Sequence, residues 1–310
     1  MMIEELFQTF DDRPAAARTH GLSKRFGSQI ALDGLEMTVP EGAVYVLVGP
    51  NGAGKTTTLR ALLDLTLADA GAAEVFGLPC GERGPEVRAR IGFVPDAQDF
   101  PYGDLSVDAL LSHHAAYFPA WDEDYAGELR SKMSIDGGQR YGDLSKGQAR
   151  RVQLVMALAH RPPLLLMDEP TDGLDPLAQD RFQALLADHL AGSTTTVLIS
   201  THRVHEVEGL GDTLGVLREG RLVAQLERDL LERRLVRVRA EVPEGWAGAS
   251  DLQVPVVRRD DRGREVAWTV WSEAEAAAAA FNAAGATVRQ VERLNLEEAT
   301  RALLAMEEAS

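Results

Sequence analysis

One nine-residue stretch, GPNGAGKTT at residues 49–57, limits the folds open to this chain more than any other feature. It matches the pattern G-x-x-x-x-G-K-[ST] at every fixed position. It follows the apolar, β-branched run AVYVLVG and precedes KTTTLRALLDLT, whose leucines have helical spacing. A buried strand, a glycine-rich loop and a helix in this order form a phosphate cradle, so we predict an α/β fold that binds a nucleotide. The predicted contacts come from Gly49, Asn51, Gly52, Gly54, Lys55, Thr56 and Thr57.

Two side chains of this loop have distinct predicted roles. The Lys55 ammonium would supply positive charge at the β- and γ-phosphates, and the Thr56 hydroxyl would ligate Mg²⁺. The glycines would let backbone N–H groups turn inward around the phosphates.

More polar side chains follow two other buried strands. LLLMDEP places Asp168 at the end of an apolar run with Glu169 next to it, and VLISTHR places His202 just after another. Asp168 suits the role of a Mg²⁺ ligand. Glu169 points in a different direction and is our candidate general base. A neutral His202 imidazole would hold the γ-phosphate or its attacking water, although a histidine at a strand end is more often structural.

A second anion site is suggested by GDLSKGQARRVQL, which begins at Gly142. A serine and a glycine open a strongly helical segment here, and a helix start offers N–H groups and the positive end of a dipole. The chain already holds one phosphate cradle, so this second site needs a phosphate from elsewhere.

Composition excludes several classes of protein. The 310 residues carry a formal net charge of -16 and a single cysteine, Cys80. This charge is repelled by nucleic acid and by anionic lipid, so we expect neither as a direct partner. One cysteine cannot form an internal disulfide, which favours a reducing interior. We find no apolar run long enough to span a membrane and no secretory signal in the acidic start MMIEELFQTFDDR.

Strands alternate with helices over most of the chain, which predicts a mostly parallel sheet covered by helices. We expect a loose leader at residues 1–15, a nucleotide-binding domain at 16–227 that includes a helical subdomain at about 103–150, and a small α+β domain at 228–310. In the last of these, Ser272-x-x-Glu275 reads as a capping box that opens an alanine-rich helix ended by Gly285, and Asn295 caps the final helix.

The order of GPNGAGKTT, LSKGQ, LLLMDEPTDGLDP and STH resembles the nucleotide-binding subunit of ABC transporters, over roughly residues 17–226. The resemblance implies a P-loop NTPase cassette with a mixed sheet, and ATP and Mg²⁺ as cofactors. It implies that Ser145, Gly147 and Gln148 form the signature loop, that Asp168 is the Walker B carboxylate, and that Glu169 is the catalytic base. It further implies that Asp175 faces a dimer partner, that His202 is the switch histidine, and that Phe26 stacks on adenine.

The same resemblance implies a head-to-tail homodimer, in which the signature loop of one copy closes over the γ-phosphate held by the P-loop of the other. Each ATP is then shared, which explains two half-sites in one chain. A separate membrane permease would dock on about residues 103–150, and would hold this chain at the cytoplasmic face of the membrane.

Two positions depart from the family pattern. After IGFVP the family normally has a glutamine that ligates Mg²⁺; here Asp96 stands at that position and Gln98 lies two residues on. Asp96 ligates the metal, Gln98 does, or neither does. Lys146 replaces the usual glycine, and either is solvated or adds charge towards the partner's nucleotide.

Acidic residues near position 96 and the ending LNLEEATRALL resemble exporters with a separate permease. The sequence therefore predicts the ATPase subunit of a bacterial exporter. A soluble ABC ATPase of iron–sulfur assembly, translation or repair is the alternative, and a nucleotide-binding regulator without turnover is a third. The distance from Thr57 to Leu144 is too short for the long coiled coils of the repair type, there is one cassette rather than two, and Glu169 is intact.

Overall fold

The computed structural model describes residues 6–10, 12–96, 102–207, 209–246 and 252–306. Along the chain, the strands are β1 (Ala15–Phe26), β2 (Gln29–Pro40), β3 (Val44–Val48), β4 (Ala70–Val75), β5 (Leu78–Pro79), β6 (Ile91–Val94), β7 (Leu164–Asp168), β8 (Thr196–Thr201), β9 (Thr213–Arg218), β10 (Arg221–Glu227), β11 (Leu235–Glu241), β12 (Val256–Arg258), β13 (Asp261–Arg262), β14 (Glu265–Trp271) and β15 (Thr287–Arg293). The helices are α1 (Lys55–Leu62), α2 (Cys80–Arg88), α3 (Val107–Ala115), α4 (Glu123–Lys132), α5 (Lys146–Leu158), α6 (Pro176–Ala191), α7 (Arg228–Arg234), α8 (Ala274–Ala283) and α9 (Leu296–Leu304).

The central sheet has the strand order β10-β9-β3-β8-β7-β6. Its neighbours pair in parallel, except that β10 returns antiparallel to β9. Strands β3, β7 and β8 are buried along their whole length, as their continuous apolar sequences predict. Their carboxyl ends meet at one edge of the sheet, which brings the glycine-rich loop, Asp168 and Thr201 together.

A second sheet of order β2-β1-β4-β5 is antiparallel throughout. It packs against the central sheet through a core that includes Leu35, Met37, Tyr45 and Leu47. This core fixes the position of β2 beside the glycine-rich loop.

The prediction of a loose leader is wrong for its described residues. Leu6 and Phe10 are buried, and Leu6 belongs to the main core. The Gln8 N–H donates to the Gln225 carbonyl over 2.7 Å, and the Gln225 side chain donates back to the Gln8 carbonyl. The segment is therefore docked along β10. Burial of its two large apolar side chains stabilises this position, which the acidic composition of the segment does not predict.

The helical region predicted at about 103–150 contains α3, α4 and the start of α5. Helix α5 continues to Leu158, and from Val152 to Leu158 it is buried in the main core. This helix consequently connects the signature loop at its N-terminus with the central sheet beneath it.

The small domain has a sheet of order β12-β14-β11-β15, and β13 pairs with β14. Helix α8 covers one face of it, where Val238, Trp268 and Phe281 form a separate core. The predicted capping box at Ser272 is wrong: α8 is capped by Glu273 without a side-chain bond, and the Ser272 hydroxyl donates to the Glu273 carbonyl. Gly285, at φ 84°, follows the helix as predicted.

Helix α9 belongs to both parts of the chain. Asn295 and Glu298 cap it reciprocally, as the predicted Asn295 cap requires. Its Leu296, Ala299 and Leu303 lie in the main core of the nucleotide-binding domain. The Arg218 side chain on β9 donates to the carbonyls of Leu304 and Met306, over 2.9 and 2.7 Å. The boundary predicted near residue 228 therefore separates the sheets of the two domains. Helix α9 follows this boundary in sequence but packs into the core of the nucleotide-binding domain.

In the part of the chain that the structure describes, none of the helices has both the length and the apolarity needed to cross a bilayer.

Candidate functional site

The glycine-rich loop is held in place by backbone contacts that leave no room for side chains. A Cβ on Gly49 would lie 2.3 Å from the Leu217 carbonyl oxygen, and one on Gly54 would lie 2.4 Å from that of Ala31. Gly54 also has φ 109°, a conformation that favours glycine, and it is the N-cap of α1. The loop thus turns tightly against β2 and β9 and delivers Lys55 and Thr56 at the first turn of a helix.

Lys55 lies inside this loop and is almost fully buried. Its Nζ donates to the Gly49 carbonyl over 2.9 Å and to the Pro50 carbonyl over 3.3 Å. The same Nζ lies 3.1 Å from Glu169 Oε1. The ammonium is therefore poised where the predicted phosphates would lie, and a carboxylate neutralises it.

Glu169 is the centre of the cluster. Its backbone has φ 45°, an uncommon conformation for a residue with a side chain, and its N–H donates to the Ser200 carbonyl over 3.0 Å. Its Oε2 lies 2.9 Å from His202 Nδ1 and accepts the His202 backbone N–H over 3.2 Å. The turn after β7 therefore directs this carboxylate towards Lys55 and His202 together, as needed for a group that activates water beside a phosphate.

Asp168 is oriented differently from its neighbour, as predicted. It is buried, and its Oδ1 accepts the Ser200 hydroxyl over 2.5 Å. Within the described residues it has no ion pair, so this buried carboxylate has an unmet need for a cation. That need, with the Thr56 hydroxyl on α1, fits a hard divalent ion. No group of three or more acidic, histidine or cysteine side chains in the described ranges has metal-site geometry.

Asp96 follows β6 and lies exposed at the rim of this cluster. Desolvation, and then the nearby charge of Asp168, raise the pKa of the Asp96 carboxyl. The alternative residue, Gln98, lies outside the described residues, so the choice between them stays a prediction.

Arg150 is a residue that sequence reasoning missed. It lies on α5, is buried, and donates to the carbonyls of Pro95, Asp96 and Glu169. It therefore ties α5 to the segment after β6 and to the turn at Glu169. The next residue, Arg151, is also an arginine, so composition could not show which of the two is buried. The sequence signal for Arg150 is its position next to Ala149 on the buried face of the helix.

Phe26 lies at the end of β1, where 54% of it is exposed, and the Lys24 Nζ is 5.5 Å from its ring centroid. An exposed ring on the sheet that contacts Gly54 is compatible with stacking on a base. Its role in stacking on adenine stays a prediction.

The signature residues form a separate site. Ser145 and Gln148 cap α5 reciprocally: the Ser145 N–H donates to Gln148 Oε1 over 2.9 Å, and the Gln148 N–H donates to Ser145 Oγ over 3.3 Å. Ser145, Gly147 and Asp175 line one groove of about 930 Å³ that includes none of Lys55, Glu169 and His202. Asp175 also caps α6 through the Ala178 N–H, a role that the sequence analysis did not assign.

Lys146 lies along the same groove. A Cβ on Gly173 would come within 3.3 Å of its Cδ and Nζ, so the lysine side chain covers that glycine. It makes no ion pair within the described part of the chain. The Lys146 side chain thus lies over the loop at Gly173 of its own chain. Whether its ammonium is solvated or adds charge towards a partner's nucleotide stays a prediction.

Comparisons with known proteins agree with this geometry. A family model described as ABC transporter matches residues 32–172. Nod factor export ATP-binding protein I of Burkholderia lata is 38% identical over 213 residues, which cover 66% of this chain and 68% of that protein. A solved ATP-binding subunit of an ABC transporter superposes with a TM-score of 0.63 at 26% identity, covering 70% of this chain and 92% of that one.

A further solved structure, the dimer of a bacterial ABC transporter cassette, has a TM-score of 0.61 at 21% identity and covers 68% of this chain and 98% of its own. At that identity the likeness concerns the fold alone.

Proposed function

This chain belongs to the ATP-binding subunits of ABC transporters, which hydrolyse ATP, and we propose that it drives an exporter whose permease is a separate polypeptide. The observation that carries the proposal is the Lys55–Glu169–His202 cluster, in which one carboxylate lies 3.1 Å from the phosphate-binding ammonium and 2.9 Å from the imidazole. The direction of transport rests on the exporter relative and on the acidic residue at position 96.

Binding of ATP requires an exchange of partners at Lys55. The ammonium is now shared between the Gly49 carbonyl and Glu169. Phosphate oxygens would replace Glu169 as its anionic partner, because a charge-assisted bond to phosphate is as strong and the loop N–H groups add to it. The displaced Glu169 carboxylate is then free to accept a proton.

Hydrolysis follows from the position of that freed carboxylate. Glu169 removes a proton from a water that attacks the γ-phosphorus, the bond to the bridging oxygen breaks, and ADP and phosphate form. His202 holds the water or the γ-phosphate through its imidazole. Mg²⁺, when held by Thr56 and Asp168, would neutralise charge on the β- and γ-phosphates.

The signature residues support a head-to-tail dimer. Ser145 and Gly147 lie on a groove that excludes the Lys55 cluster, so within one chain they have no nucleotide to contact. In the proposed dimer, each Ser145 would contact the γ-phosphate bound by the partner, where the start of α5 adds a positive dipole end. Closure on ATP and reopening after hydrolysis would move the permease.

An apolar groove supports a permease contact on this chain. It has a volume of about 310 Å³ and lies between α1 and the end of α3, where Leu65, Phe93, Phe118 and Met156 line it. Leu65 is 60% exposed and extends this apolar surface to solvent. Pro95, next to Asp96, also lines the groove. An amphipathic helix of the permease, seated here, would contact the segment that leads into the ATP site.

This arrangement implies a cytoplasmic protein held at the membrane by its permease rather than by lipid. The formal charge of -16 disfavours direct contact with anionic lipid and with nucleic acid.

The substitution Glu169→Gln tests the proposed catalytic role. An amide cannot take the proton of the attacking water, so we expect turnover to fall by about 10²- to 10⁴-fold. ATP binding should persist or tighten, since Lys55 loses its competing carboxylate. Phosphate release and nucleotide affinity are measured in parallel.

Glu219→Gln, at an exposed turn, is the matched control and should keep wild-type turnover. Near-normal turnover in Glu169→Gln would remove Glu169 from the role of base.

A further inference from the structure

A second cavity lies in the small domain, away from the ATP site. It has a volume of about 560 Å³ and is bounded by the face of the sheet that α8 does not cover and by α9. We call it the small-domain pocket; the lining residues that matter here are Arg237, Glu241, Arg258, Glu265, Thr269 and Arg301. The proposed function uses none of them.

The floor of the pocket at one end is Thr269. This threonine is 2% exposed, and its hydroxyl has no hydrogen-bond partner within the described residues. It lies on β14 opposite Arg237 of β11 and Arg258 of β12. Val257 is an extra residue on β12, because Val256 pairs with Val270 and Arg258 with Thr269. This bulge turns Arg258 onto the same face as Thr269.

Two guanidinium groups therefore flank an unpartnered buried hydroxyl. Arg237 is neutralised by Glu292 and Glu298, at 3.2 and 3.0 Å. Arg258 makes no ion pair in the ranges that the structure describes. The Thr269 hydroxyl faces the pocket, and the Arg258 guanidinium beside it favours an anionic group, such as a carboxylate, at this end.

The other end of the pocket has the opposite charge. Glu265 of β14 lies directly opposite Glu241 of β11. Arg289 pairs with Glu241, whereas Glu265 has no ion-pair partner among the described residues. Since Glu241 already has this partner, a cation at this end of the pocket would be stabilised mainly by the Glu265 carboxylate. Thr269 lies four positions after Glu265 along the extended strand, a distance of about 13 Å.

We propose that the small-domain pocket binds a short linear zwitterion of the peptide class, with its carboxylate at Thr269 and Arg258 and its ammonium at Glu265 and Glu241. A ligand without net charge also avoids the repulsion that the charge of -16 imposes on a simple anion. An extended tripeptide spans about 10 Å, which with the reach of the side chains matches the separation of the two ends.

Occupancy would be transmitted to the ATP domain through α9. Arg301 and Ala302 form the wall of the pocket, while Leu296 and Leu303 on the same helix lie in the main core. The ligand therefore stabilises α9 in its docked position, and binding raises the melting temperature of the whole chain.

Calorimetric titration of the full chain with trialanine tests the proposal. We expect saturable binding, and about 10-fold weaker binding of alanine, of N-acetyl-trialanine and of trialanine amide, because each lacks the length or one of the two charges. Arg258→Ala and Glu265→Gln should each weaken trialanine binding about 10-fold, and Thr269→Val should weaken it by a smaller factor.

Glu244→Gln is the matched control, since this carboxylate is highly exposed and lies outside the pocket. It should bind trialanine as the wild type does. Absence of saturable binding overturns the proposal, as does equal binding of the capped peptides or of Glu265→Gln. ATP affinity is measured on the same samples. If ATP still binds while trialanine does not, this inference fails and the proposed ATP site does not.

Discussion

We propose that the glycine-rich loop and the signature loop both contact phosphate, yet the two loops satisfy their polar groups in different ways. At the glycine-rich loop, Lys55 is paired with a carboxylate from the far side of the same site. At the signature loop, the Ser145 and Gln148 side chains each accept the backbone N–H of the other residue, and an open groove lies beside Ser145. The first site is therefore complete within one chain, apart from its nucleotide. The second is complete as a helix cap but incomplete as a binding site.

This difference bears on how ATP would close a dimer. The first half-site can bind nucleotide alone by exchanging Glu169 for phosphate at Lys55. The second gains a ligand only when another molecule supplies one, and its backbone N–H groups are already arranged by the cap. Arg150 links the two through the turn at Glu169 and the helix that starts at Ser145.

The sharpest contrast comes from one substitution in each half. Lys55→Ala should weaken ATP binding to the isolated chain by about 100-fold, because it removes the ammonium at the phosphates. Ser145→Arg should leave that binding unchanged and abolish ATP-dependent dimerisation. Fluorescent-nucleotide binding at low protein concentration measures the first effect, and sedimentation measures the second. Equal loss of ATP affinity in both variants would contradict the separation of the two half-sites.

The link between the halves can be broken at Arg150. We expect Arg150→Ala to lower the free energy of unfolding by about 2–4 kcal/mol, because three carbonyls lose a buried charged donor. Arg151→Ala, a change of the same type one position on, should cost less, since Arg151 is only half-buried. Urea denaturation compares the two. Equal losses would show that Arg150 has no special place in the fold.

A smaller effect is expected at the rim of the first half-site. Asp96→Ala should raise the Mg²⁺ concentration needed for half-maximal turnover by about 10-fold, because a carboxylate near the metal is lost. The affinity for ATP should change less than the affinity for the ion. Asp104→Ala, an exposed carboxylate elsewhere, provides the control. An unchanged Mg²⁺ requirement would favour Gln98 or a purely structural Asp96.

Much of the first half-site was predictable because a single local pattern encodes it. The strand before Gly49, the loop and the helix at Lys55 follow one another in sequence, so spacing alone locates them. Asp168 and Glu169 follow an apolar run in the same way. Their meeting with Lys55 and His202 was predictable too, because parallel strands place their carboxyl ends at one edge.

What sequence reasoning missed depends on long-range packing. Gln8 pairs with Gln225 of β10, more than 200 residues away along the chain, and Leu6 enters the main core; nothing in an acidic leader predicts this. Ser272-x-x-Glu275 has the capping pattern, but the Ser272 N–H donates to the Arg234 carbonyl, so Ser272 stays paired with a distant segment and Glu273 becomes the cap. The double role of α9 and the burial of Arg150 likewise follow from contacts between distant segments, which residue spacing does not encode.

The central claim is that each ATP is shared between two chains, and a mixing experiment tests it most directly. A Lys55→Ala chain and a Ser145→Arg chain each form homodimers in which both shared sites are damaged. Their heterodimer holds one doubly damaged site and one intact site, which joins the glycine-rich loop of the second chain to the signature loop of the first. We predict that mixing restores ATP-dependent dimerisation, measured by sedimentation with Mg²⁺ and ATP. A mixture as inert as its parents, with heterodimers shown to be present by differential tags, would contradict the shared site.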